Sequence, residues 1–265
     1  MTTKQETVYS FKNDYSEGAH PRILQALSET NLEQQAGYGQ DDYTKQAVNI
    51  LQAKLQDKES DIHFVAGGTQ ANLIVISSIL KPYESVIAAD TGHINTHEAG
   101  AIEATGHKIN TVESQTGKLN PDHIKTVLEQ HTDEHMVKPK LVFISNPTEL
   151  GTIYTKKELV ELASFCKNND LLLYVDGARL GSALSSSEND LTLSQLSDLV
   201  DVFYIGGTKN GALCGEAIII NNDQLKEDFR FNLKQKGALF AKGRVLGIQF
   251  VELFKDDLFF SLAEH

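Results

Sequence analysis

From about residue 61 to 220 the chain alternates short runs of apolar and β-branched residues with stretches of helical period. Seven runs read as strands: Asp61–Ala66, Ser85–Ala89, Lys108–Val112, Lys140–Ser145, Leu171–Val175, Val202–Ile205 and Glu216–Ile220. Several are nearly unbroken apolar stretches, such as Leu141-Val142-Phe143-Ile144 and Leu171-Leu172-Leu173-Tyr174-Val175, which is the pattern of strands covered on both faces. Helix starts between them are marked by Asn120-Pro121, a capping residue before a first-turn proline, and by the capping box Thr155-Lys156-Lys157-Glu158. Leu159, Leu162, Ala163 and Cys166 then share one helix face. Asp41 to Gln56 reads as an amphipathic helix, and the chain reads as helical from Asp223 to its end. The alternation predicts an α/β fold with a mainly parallel seven-stranded sheet flanked by helices. The apolar stretch Leu246 to Leu262 either docks on the core or has a face meant for something further on.

Composition narrows the class. With 265 residues, 40% of them hydrophobic, 23% charged and only five prolines, the chain can bury one large core. A net charge of −12 argues against nucleic acid, which demands clustered Lys and Arg. Cys166 and Cys214 have neither CxxC spacing nor the number that a disulfide framework needs, which fits a reducing cytoplasm. Met1 to Ser10 lacks a signal-peptide core and no apolar run reaches membrane-spanning length, so no membrane association is expected.

In a doubly wound sheet ligands gather at the carboxyl ends of the strands, and four places there carry candidate chemistry. Gly67-Gly68-Thr69-Gln70-Ala71-Asn72 opens a helix after the first strand, where small residues, the helix dipole and the Thr69 hydroxyl suit a phosphate; a tight turn is the plainer reading. It is neither GxGxxG nor a P-loop, which removes most support for a nucleotide. Val175-Asp176-Gly177-Ala178-Arg179 puts an acid at the end of an apolar strand, either facing a cationic partner such as a protonated pyridine, or paired with Arg179, or capping a helix. Ile205-Gly206-Gly207-Thr208-Lys209-Asn210-Gly211 holds a lysine in a glycine-rich turn, suited to Schiff-base chemistry if desolvated and to plain solvation if not, with Thr208 able to reach the same phosphate. His93 and His97 stand at i,i+4, but HExxH is absent and no cysteine is near, so a histidine stacked on an aromatic cofactor fits better than a metal, and none is expected.

Together with Asn13-Asp14-Tyr15, Tyr38-Gly39-Gln40-Asp41-Asp42 and Glu98-Ala99-Gly100, these segments resemble the threonine aldolase and β-eliminating lyase group, pyridoxal-phosphate enzymes of the aspartate-aminotransferase fold (fold type I), from about Phe11 to the end. The resemblance implies pyridoxal 5'-phosphate as cofactor, with Lys209 its Schiff-base lysine, Asp176 on the pyridine nitrogen, His93 stacked on the ring, and Gly68, Thr69 and Thr208 toward the phosphate. Arg179 would lie by the ring oxygen or the substrate carboxylate, and Asn13, Tyr38 and Glu98 would line the substrate, Tyr38 from a neighbouring subunit of a homodimer or homotetramer. The implied organisation is an N-terminal arm and helix over residues 1–40, a cofactor-binding large domain over 41–245, and at 246–265 the start of a helix leading to a small C-terminal domain that is otherwise missing. The implied reaction is aldol cleavage of threonine or allo-threonine to glycine and acetaldehyde. The alternatives are β-elimination from another amino acid, or a truncated chain that binds cofactor with little activity.

Overall fold

The computed structural model describes residues 9–57 and 59–265, so the first eight residues of the expected N-terminal arm lie outside the described residues. All seven predicted strands form: β1 (Asp61–Val65), β2 (Glu84–Ala89), β3 (Ile109–Val112), β4 (Lys138–Ser145), β5 (Leu172–Asp176), β6 (Val202–Gly206) and β7 (Glu216–Ile220). They make one sheet in the order β1-β7-β6-β5-β4-β2-β3. Strands β2 to β6 pair in parallel, whereas β7 is antiparallel to both β1 and β6. That reversal follows from the chain: only Gly207 to Gly215 separate β6 from β7, too few residues for the crossover that a parallel neighbour requires.

Helices cover both faces, which is why every residue of β2, β6 and β7 is buried. On one face lie α1 (Pro21–Glu29), α2 (Asp42–Leu55), α5 (Pro121–Gln130), α6 (Lys156–Asn168), α7 (Leu180–Ser185), α8 (Leu193–Leu199), α10 (Arg244–Phe254) and α11 (Leu258–Glu264); on the other lie α3 (Gly68–Ile79) and α9 (Phe229–Gln235). The single turn α4 (His93–Thr96) follows β2. The capping signals hold. Asn120 Oδ1 accepts from the His123 N–H at 2.9 Å, and both halves of the Thr155–Glu158 box are present, each cap contributing about 1 kcal/mol. Leu159, Leu162 and Cys166 are buried and Ala163 packs beside them; burial pushes the Cys166 thiol up to about 12, which keeps it inert.

The C-terminal third differs from the single helical run expected. A loop at residues 236–243 separates α9 from α10, held by the Tyr38 N–H donating to the Phe240 carbonyl at 3.1 Å. From Leu246 to Phe254 every residue of α10 is buried, against α1 and α2 among others. The apolar positions of α10 are therefore covered by this chain itself, the docking alternative, because α1 and α2 supply the hydrophobic partners.

Candidate active site

Strand register collects the candidate groups at one rim of the sheet. Val65 ends β1 opposite Glu216, Glu216 stands opposite Gly206 at the end of β6, and Asp176 at the end of β5 pairs with Ser145 of β4. The adjoining turns lock together, since the Gly206 N–H donates to the Gly177 carbonyl at 2.9 Å. A side chain at Gly206 is impossible there: its Cβ would sit 2.4 Å from the Ala178 carbonyl oxygen.

A buried polar network surrounds Asp176. Its Oδ1 accepts from the Tyr204 hydroxyl at 2.5 Å and the Ala178 N–H at 3.0 Å, and its Oδ2 accepts from Asn72 Nδ2 at 3.0 Å. The same Asn72 nitrogen donates to Glu98 Oε1 at 2.7 Å, while Asn72 Oδ1 accepts from the Tyr174 hydroxyl at 2.8 Å. One amide thus ties two carboxylates together, and the Tyr174 proton fixes which way it points. Both tyrosines stay protonated, because burial and the charge of Asp176 push their hydroxyls well above the ordinary value. Glu98 is fully buried in its side chain, and its Oε1 lies 2.8 Å from His93 Nδ1. This directs the Nδ1 proton to the carboxylate and leaves Nε2 as the free ring nitrogen. Glu149 anchors the start of α4 by accepting from the His93 N–H at 2.9 Å.

The hydrogen bond to Glu98, and then the charges of Asp176 and Glu98, raise the His93 pKa against burial and the nearby Lys209. A value above the ordinary 6.5 means that this pairing contributes stability fully present below pH 6.5 and lost as pH rises through the folded-state value. Glu98→Gln is expected to move the His93 ring titration, followed by proton NMR, to lower pH and to reduce that stability gain; an unmoved midpoint would show that Glu98 does not control the ring.

Lys209 lies in the turn after β6, its Nζ 5.9 Å from the centroid of the Tyr15 ring. Arg179 forms a bidentate ion pair with Asp14, including a 3.2 Å contact from Nη2 to Oδ1. Although burial opposes ionisation, the hydrogen bond and charge of Arg179, with Lys209 adding, hold the Asp14 carboxyl below its usual value. Asp14, not Asp176, is therefore the ion-pair partner of Arg179, and the N-terminal segment is tied over the site through Asp14 and Tyr15.

The structure brings Lys209, Asp176, His93, Glu98 and Arg179 to this rim, with Gly68 and Thr69 opening α3 beside them. A Cβ at Gly68 would fall 2.9 Å from the Tyr204 hydroxyl, and no side chain caps the start of α3. The Thr208 hydroxyl donates to Glu216 at 2.8 Å and accepts from the Gly215 N–H at 3.0 Å. Both bonds lie within the lysine turn. Asn13 Oδ1 accepts locally from the Tyr15 N–H and the Ser16 hydroxyl. Tyr38 has no hydrogen bond or ion pair to this cluster among the described residues; Lys234 Nζ lies 4.5 Å from its ring centroid and Arg230 donates to its carbonyl. Sequence reasoning missed Asn72, Tyr174, Tyr204, Glu149 and Glu216. Asn72 had a signal, as a polar residue in an apolar helix. A broad groove of about 810 Å³ lies elsewhere, at the amino ends of β4 and β5, lined by Lys138, Lys140, Asp170 and others; it holds none of the groups above, and ligand sites of this fold lie at the opposite rim.

This rim, an acid and a lysine at the ends of adjacent strands of a helix-covered sheet, belongs to a known class of lyase. The family model for beta-eliminating lyases matches residues 13–255, and the chain belongs to that family. It is 36% identical over 260 residues to the low specificity L-threonine aldolase of Pseudomonas sp. (strain NCIMB 10558), covering 96% of this chain and 74% of that protein. The solved structure of Leishmania major threonine aldolase superposes with a TM-score of 0.96 at 54% identity, covering 97% of this chain and 75% of that one. Aspartate aminotransferase of Thermus thermophilus, at 13% identity and a TM-score of 0.74, shares the fold.

Proposed function

We propose that this rim binds pyridoxal 5'-phosphate and that the protein cleaves threonine or allo-threonine to glycine and acetaldehyde. The observation that carries the reading is that Asp176 ends β5 and Lys209 follows the neighbouring β6 at one rim, where the Gly206 N–H bonds the Gly177 carbonyl at 2.9 Å. The residues suit the cofactor. A carboxylate offers about four lone-pair sites; Asp176 has three filled, so Oδ2 retains one for a ring N–H. The uncapped start of α3, with Gly68 and Thr69, offers N–H groups and a helix dipole to a phosphate.

Bound there, pyridoxal phosphate supplies an aldehyde for an amine and a ring that accepts electrons. Lys209 Nζ provides the amine. Asp176, kept in place by Tyr204, Ala178 and Asn72, would hold the proton of the ring nitrogen. His93 would pack on the ring and take the β-hydroxyl proton at Nε2, with Glu98 stabilising the cation that results. Glu98 therefore serves the substrate through His93. Arg179 has five N–H donors and spends two on Asp14, leaving three for a substrate carboxylate. Asn13 Nδ2 is a further donor for it, and Tyr38, 45% exposed, would serve a second copy in a homodimer or homotetramer. The cytoplasm suits its two free cysteines.

Purified protein titrated with pyridoxal phosphate is expected to develop the visible absorbance of a lysine-bound aldehyde and, with L-threonine, to release glycine and acetaldehyde in equal amounts. A keto acid and ammonia from serine-like substrates would redirect the reading to β-elimination. Cofactor binding without turnover would leave a binding chain only.

A further inference from the structure

Glu216 has no part in the chemistry above, yet it is 4% exposed and stands at the rim where β6 and β7 meet. Its two carboxyl oxygens are taken by consecutive residues of the lysine turn: Oε2 accepts from the Gly207 N–H at 3.1 Å and Oε1 from the Thr208 hydroxyl at 2.8 Å. The Thr208 hydroxyl in turn accepts from the Gly215 N–H, which closes the turn on itself. We propose that Glu216 is a positioning residue that clamps the Gly207–Thr208 step and thereby aims Lys209. The proposal rests on the role of Lys209 given above.

The clamp is specific in its chemistry. Two neutral donors meet one carboxyl, so an amide at 216 would turn its own N–H₂ toward a donor and lose one of the two bonds. Burial and Asp176 raise the Glu216 pKa, while the Thr208 hydroxyl, the Gly207 N–H and Lys209 favour the ionised form, in which both oxygens accept without a competing proton. The groups facing it are Asp176 and Tyr174 from β5, Tyr204 from β6, and Lys209 from the turn.

The test uses the ligand-free full chain, so it does not depend on cofactor or substrate. Lys209 is labelled with a small acylating reagent, the modified peptide is quantified by mass spectrometry, and pyridoxal-phosphate Kd is measured separately. In Glu216→Gln the Lys209 labelling rate is expected to change ~3-fold or more relative to the parent while labelling of the exposed Lys157 stays the same, with Kd weakened about tenfold. A general loosening of the fold would move both lysines. Thr208→Val, which removes one clamp and keeps the carboxyl, is expected to shift Lys209 labelling and Kd in the same direction, and Thr208→Ser to restore them. A folded Glu216→Gln whose Lys209 labelling and Kd both match the parent overturns the proposal. If Glu216→Gln fails to fold, the valine and serine variants decide it: equal Kd for both and the parent also overturns it. Should the parent bind no pyridoxal phosphate, the cofactor reading fails while the labelling profile still reports on Glu216.

Discussion

Lys209→Ala is expected to lower threonine cleavage by about 10³-fold or more and to remove the visible absorbance that added pyridoxal phosphate gives the parent. The turn explains why the loss should be specific. Gly206 and Gly207 are packed against backbone, with a Cβ at Gly207 falling 2.8 Å from the Gly215 carbonyl oxygen. The lysine therefore projects from a frame fixed by Glu216 and by close main-chain contacts, and its removal should leave the melting temperature nearly unchanged. Lys209→Arg keeps a positive charge near Asp14 and His93 but cannot condense with an aldehyde, so it should be as inactive as the alanine variant. Added methylamine should restore part of the activity of Lys209→Ala and none to Lys209→Arg, where the guanidinium fills the space. Substantial cleavage by Lys209→Ala without added amine would remove this lysine from the reaction.

How the sequence announced this site depends on which interaction one asks about. The central strands were legible because burial on both faces makes them nearly unbroken apolar runs, and the glycine-rich turns were legible because close backbone approach excludes side chains. The reversed direction of β7 was hidden, since Glu216–Ile220 is equally apolar either way, although the short link from Gly207 to Gly215 carried the signal. The Asp14–Arg179 pair joins residues 165 positions apart and leaves no local pattern. Tyr174 and Tyr204 read as strand filler, because periodicity registers their rings and is blind to where a hydroxyl points. The same holds for Glu216, which reads as the polar start of a strand until the hairpin folds its carboxyl back onto the lysine turn. Lys209, Asp176 and His93 stood out as polar groups at strand ends; the groups that orient them did not, because orientation is set by contacts between distant segments.

Asp176→Asn should cost both activity and stability, for one electrostatic reason. The carboxylate accepts three hydrogen bonds in a buried setting, from Tyr204, Ala178 and Asn72. An amide of the same shape keeps one acceptor oxygen and presents N–H₂ to at least one of those donors. If the amide oxygen takes the Oδ1 position, its nitrogen opposes Asn72 Nδ2, and the disturbance passes to the Asn72–Glu98 bond. Leaving one buried donor unsatisfied costs about 1–3 kcal/mol, which for a chain of 265 residues lowers the melting temperature by roughly 2–4 °C per kcal/mol. The loss in kcat is expected to be larger, about 10²–10³-fold, because the ring nitrogen loses the charge that keeps it protonated. His93 supplies an independent check in the ligand-free protein: Asp176 is one of the charges that raise its pKa, so its NMR titration should move to lower pH in Asp176→Asn. A variant with near-parent kcat and an unmoved His93 titration would mean that this carboxylate acts on neither the ring nor the histidine.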